Sequence, residues 1–105
     1  MRRIGRVEAK GRTVTVRLER GTVTITPRGV ALLRHPFSRT QFGAQEAKVV
    51  HHPPKMLRRT GWVYFGLGWD DHGHDIGVLA KYGPKAKQDF AKLVSAGNWF
   101  EEVQA

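Results

Sequence analysis

The sequence contains no cysteine, so disulfides, thiolate metal sites and cysteine nucleophiles are excluded. Serine is almost as scarce. Ser38 and Ser95 are the only two, and neither sits in the Gly-x-Ser-x-Gly elbow that exposes a nucleophile. His35 lies three residues before Ser38 in a proline-containing loop, which is not a triad arrangement. Gly66-x-Gly68 lacks the Lys-Ser/Thr partner and following helix of a phosphate loop. No trio of nucleophile, base and oxyanion donor can be assembled, so the expectation is a protein without enzymatic activity and without a cofactor. No apolar run approaches membrane-spanning length, which predicts no transmembrane segment. The charged start, Met1-Arg2-Arg3-Ile4-Gly5-Arg6, lacks the apolar stretch of a secretory signal. Together with the missing cysteine, this fits a cytoplasmic protein.

Acidic residues are also few: 9 Asp plus Glu against 18 Lys plus Arg, a formal net charge of +9. The imbalance is uneven. Residues 1–60 hold fourteen basic and three acidic residues, net +11, whereas residues 61–105 hold four basic and six acidic residues, net −2. Such a charge favours an anionic partner but does not name it. The length of 105 residues, with 40% hydrophobic and 10% aromatic residues, predicts a single domain over 1–105 with a packed core. Residues 1–5 are expected to form a flexible arm.

The first two thirds read as strands. Val14, Val16 and Leu18 alternate with Thr13, Thr15 and Arg17, and Val23 and Ile25 alternate with Thr22, Thr24 and Thr26. This is the period-two pattern of half-buried strands, joined by a turn at Arg20-Gly21. Val30 to Leu33 is expected to be a third short strand, His35 to Arg39 a loop, with Gly43 interrupting whatever element follows, and Glu46 to His51 a strand ending at Pro53-Pro54. Arg6 to Ala9 is a weaker strand candidate. Trp62 to Trp69 carries the clearest strand pattern, with Val63, Phe65 and Leu67 on one face and Trp62 and Tyr64 on the other. Gly66 and Gly68 suggest a bulge. A polar turn over Asp70 to Asp75 and a returning strand over Ile76 to Tyr82 follow. The period then changes: from Gly83-Pro84, the residues Ala86, Phe90, Leu93, Val94 and Gly97 share a helical face. Lys85, Asp89 and Lys92 are spaced for pairing on the other face. A capping helix is thus expected over 84–97.

The order Val14-Thr15-Val16, Thr22-Val23-Thr24-Ile25, Lys48-Val49-Val50-His51-His52-Pro53-Pro54 and Gly61-Trp62-Val63-Tyr64-Phe65, closed by a helix, resembles the bacterial pleckstrin-homology-like (PH-like) domains over roughly residues 6–96. The resemblance implies a mainly β (α+β) fold: a six- to seven-stranded antiparallel, partly open barrel capped by one C-terminal α-helix. It also implies a binding module, since bacterial relatives serve protein interaction or oligomerisation. Eukaryotic members hold phosphoinositide headgroups with basic residues around the first hairpin. Here the turn Glu19-Arg20-Gly21 is too short to match, and Trp99 lies beyond Gly97 rather than in the helix. The arginine-rich texture suits an actinobacterial or bacteriophage protein.

A protein partner is therefore the first expectation, with homodimerisation through the aromatic pair Trp99 and Phe100 as one route. A basic nucleic-acid-binding protein is the alternative. Arg12, Arg17, Arg28, Arg34, Lys55, Arg58 and Arg59 would supply an anion-binding face, and Trp62, Tyr64 or Phe37 would stack on bases. Aromatics at strand spacing are more often core, however, which would put Trp62 and Tyr64 under the helix. A third expectation is peripheral binding to anionic membrane lipid through Arg2, Arg3 and Arg6. His72, His74 and Asp75, within Asp70-Asp71-His72-Gly73-His74-Asp75, are candidate metal ligands that His51 and His52 could join. A polar turn needs such residues in any case, and no metal is expected.

Overall fold

The computed structural model describes residues 6–34, 39–55, 57 and 59–97. Seven antiparallel strands form two sheets. β1 (Val7–Lys10), β2 (Val14–Glu19), β3 (Thr22–Pro27) and β4 (Thr40–Gly43) form one, in the order β1-β2-β3-β4. β5 (Lys48–His52), β6 (Gly61–Trp69) and β7 (Asp75–Tyr82) form the other, in the order β5-β6-β7. Both sheets are open rather than closed on themselves, and they enclose one core. A short helix α1 (Val30–Arg34) follows β3, and α2 (Lys87–Ala96) follows β7.

Alternation accounts for most of this. The inward rows of the four-stranded sheet are Val7–Leu18–Val23–Phe42 and Ala9–Val16–Ile25–Thr40. β-Branched residues at these positions suit a pleated surface with one face buried. The inward rows of the second sheet are Val49–Phe65–Val78 and His51–Val63–Ala80. Phe42 meets Phe65 across the core at a ring separation of 5.7 Å. The register of β6 on β7 shifts between Gly66 and Gly68, as the two glycines suggest.

α2 lies mainly on β1 and buries Phe90, Leu93 and Val94. Phe90 stacks on Tyr82, 4.1 Å between ring centres and 8° between planes. The expected helix over 84–97 is a 3-10 turn at Pro84–Ala86 running into α2, with Gly97 as its C-cap. Asp89 forms no ion pair with Lys85 or Lys92; among the described residues the only such contact joins His74 to Asp70 at 3.3 Å.

One element differs from expectation. Val30–Arg34 is helical rather than a strand: its apolar run does not alternate, and Ala, Leu and Arg favour helix. Thr40–Gly43, which the sequence leaves unassigned, is a strand, because Phe42 pairs with Val23 and is buried in the core.

Candidate binding face of the three-stranded sheet

Period-two geometry puts every second side chain of β5, β6 and β7 on the outer face of their sheet. The rows there are His52–Trp62–Lys81, Val50–Tyr64–Leu79 and Lys48–Gly66–Gly77. Trp62 and Tyr64 are therefore not under α2; Tyr82 and Phe90 occupy that place. The outer face continues to Asp75 and Trp69 at the β6–β7 hairpin. Trp69 is 71% exposed and Leu79 43%. Val50, Tyr64, Leu67 and Trp69 line a concavity of about 400 Å³ with Glu46 and Lys48 at its edge.

Tyr64 is held in place by a missing side chain. Its hydroxyl donates to the Asp75 carboxylate, which requires the ring to cross β7 over Gly77. A Cβ on Gly77 would lie 2.0 Å from the Tyr64 hydroxyl oxygen. The hydrogen bond to Asp75 and its negative charge hold the Tyr64 pKa above 10.0. In the next row, His52 stacks on Trp62 at 4.2 Å and 16°.

The basic residues divide by position. The β1–β2 turn packs against the end of β7: Arg12 N–H donates to the Lys81 carbonyl at 2.8 Å. Gly11 permits the approach, since a Cβ there would lie 2.7 Å from the Lys81 oxygen. The Arg12 guanidinium donates to Thr60 Oγ1 at 3.0 Å, and Arg28 Nη1 donates to the Gly11 carbonyl at 2.7 Å. Arg12 and Arg28 thus converge on one turn beside Lys81. Lys55 and Arg59 are exposed in the segment between β5 and β6, which joins the strand ends on this side. Arg34 is exposed at the end of α1. Arg17 belongs elsewhere, in the outward row Glu8–Arg17–Thr24–Gln41 of the four-stranded sheet, where Gln41 donates to Thr24 Oγ1 at 3.1 Å. Sequence reasoning missed Lys81 and the role of the β1–β2 turn. The turn Glu19-Arg20-Gly21 joins the second hairpin, not the first, so the basic first-hairpin turn is Lys10-Gly11-Arg12. Arg58, Trp99, Phe100, Phe37 and the 1–5 arm lie outside the described residues.

The hairpin tip is organised as a turn. Asp70 Oδ1 accepts from the backbone N–H groups of His72 and His74, each at 2.8 Å, and these bonds hold the Asp70 carboxyl below 3.8. Asp75 is engaged by Tyr64. His51 points into the core and His52 onto Trp62, at the other end of β5, so neither joins His72 and His74. Among the described residues no group of three or more His, Asp or Glu is placed to hold a metal ion. No helix among them is long and apolar enough to cross a membrane.

No family model, curated protein or solved structure matches the chain.

Proposed function

We propose that this chain is a non-enzymatic, PH-like binding module whose partner is a protein docked on the outer face of the three-stranded sheet. The observation that carries this reading is the run of Val50, Tyr64, Leu79 and Trp69 on a sheet surface that no described element covers. A contiguous apolar patch next to polar rim groups such as Glu46, Lys48 and Asp75 has the make-up of a protein interaction surface. Seven antiparallel strands in sheets of four and three, followed by a helix, support the PH-like comparison. A second copy of the chain is one partner of this kind. The absence of cysteine fits the cytoplasm as its compartment.

The test compares the wild-type protein with Leu79→Asp and Trp69→Ser, two exposed positions whose replacement leaves the core intact. Each is immobilised and exposed to nuclease-treated lysate, and the mass of each is followed by light scattering over a concentration range. A protein partner or a dimer present for wild type and lost in both variants supports the reading. Identical capture and identical mass for all three overturns it.

A further inference from the structure

We propose that the end of the outer face remote from the β6–β7 hairpin binds single-stranded nucleic acid. Phosphates would lie along the basic β1–β2 turn, and a base would stack on Trp62. This goes beyond the protein-docking reading and uses a different row of the sheet.

Three observations converge on this end. The first is charge without acidic partners. Arg12 and Arg28 make their hydrogen bonds to a threonine hydroxyl and a backbone carbonyl. Among the described residues no carboxylate forms an ion pair with any lysine or arginine. The strand directions place Glu19, Glu46, Asp70, Asp71 and Asp75 at the opposite end of the sheets; Asp89, in the first turn of α2, lies at this end but forms no ion pair with Lys85. The cations here are thus free of ion pairs and net positive toward an incoming anion.

The second is a stacking surface in line with those charges. Lys81 is the register neighbour of Trp62, and Trp62 of His52, so one row runs cation, indole, imidazole across three strands. The half-buried indole is backed on one face by His52 at 4.2 Å. Flat aromatic surfaces accept any base, because every base has a π-face.

The third is rigidity. The turn is pinned by Arg12 N–H to Lys81, Gly11 N–H to Val14 at 2.8 Å, and Arg28 N–H to Thr13 at 2.9 Å. Beside it, Lys10, Arg12, Lys85 and Pro84 line a recess of about 300 Å³. Positively charged groups held at fixed spacing beside a half-buried ring match a flexible phosphate chain with unpaired bases. An acidic protein would satisfy the charges but not the stacking row.

The test uses fluorescence anisotropy with labelled oligo-dT and oligo-rU of ~20 nucleotides, the matching duplex, phosphatidylserine vesicles and inositol hexakisphosphate, beginning at about 50 mM salt. Single strands are expected to bind best, with log K falling against log salt at about 0.7 per phosphate engaged. Trp62→Ala is expected to weaken binding about tenfold at constant salt slope. Lys81→Gln with Lys85→Gln is expected to flatten the slope by about 1.4. Trp69→Ser, at the protein-docking end and without change of charge, serves as a control that keeps affinity and salt slope, so the two readings fail separately. Circular dichroism melts confirm that each variant is folded. No binding of single strands at low salt, indifference to Trp62→Ala, or tighter binding of the duplex, the vesicles or the inositol phosphate overturns the proposal.

Discussion

Two side-chain pairs make the clearest predictions at the scale of single residues. His51 and Tyr82 are both buried and share a hydrogen bond of 2.6 Å. Burial, reinforced by neighbouring His52, lowers the His51 pKa from 6.5, and burial pushes Tyr82 up to about 12, so both are neutral in the folded protein near pH 7. As pH falls, the unfolded chain takes up the His51 proton first. The contribution of His51 is therefore complete above 6.5 and is lost progressively below it. Urea melts are expected to show stability falling between about pH 7 and pH 5 and to flatten in His51→Leu. Asp70 titrates in a separate window, because its lowered pKa gives stability that is lost only below 3.8. Tyr82→Phe leaves a buried imidazole without its partner and is expected to cost about 1–3 kcal/mol in the same melts. The second pair is Tyr64 and Gly77. Gly77→Ala forces the ring off β7, at about 1–3 kcal/mol. In a Tyr82→Phe background, ultraviolet titration of Tyr64 is then expected to fall back toward 10.0 from its raised value.

At the scale of elements, α2 closes the core over β1. Phe90→Ala removes the ring stacked on Tyr82 and is expected to cost about 3–5 kcal/mol, read as a fall in melting temperature. Alternation made most of the strands legible: β2, β3, β6 and β7 fall where valine, isoleucine and aromatic residues repeat every second position. α2 was equally plain from Phe90, Leu93 and Val94 at helical spacing. α1 was not, because a short apolar run such as Val30–Leu33 has no period to read. β4 was hidden because only Phe42 marks its buried side, and that role depends on pairing with Val23 across a distant connection. The difference between a barrel and two open sheets depends on which strands meet at the corners, and hydropathy carries no such information.

At the scale of the whole molecule, the sequence imbalance of +11 against −2 becomes a difference between two ends. Arg12, Arg28 and Lys81 gather where the β1–β2 turn meets β7, while Asp70, Asp71 and Asp75 occupy the opposite hairpin. Arg12 and Arg28 were legible as candidates from composition; their convergence was not, because it depends on a turn docking on a strand some seventy residues later in the chain. Trp62 and Tyr64 were visible as an alternating aromatic pair, but which side of the sheet α2 covers decides whether they are core or surface. That side is the inner one, lined by Tyr82.

The central claim is that the outer face of the three-stranded sheet docks a protein, and site-directed photo-crosslinking tests it most directly. A photoreactive amino acid replaces Leu79 on that face or, as a control, Thr15 on the outward side of the four-stranded sheet. The account predicts a nuclease-resistant, protein-sized adduct from position 79 and none from position 15. Equal adducts from both positions, or none from position 79, would contradict it.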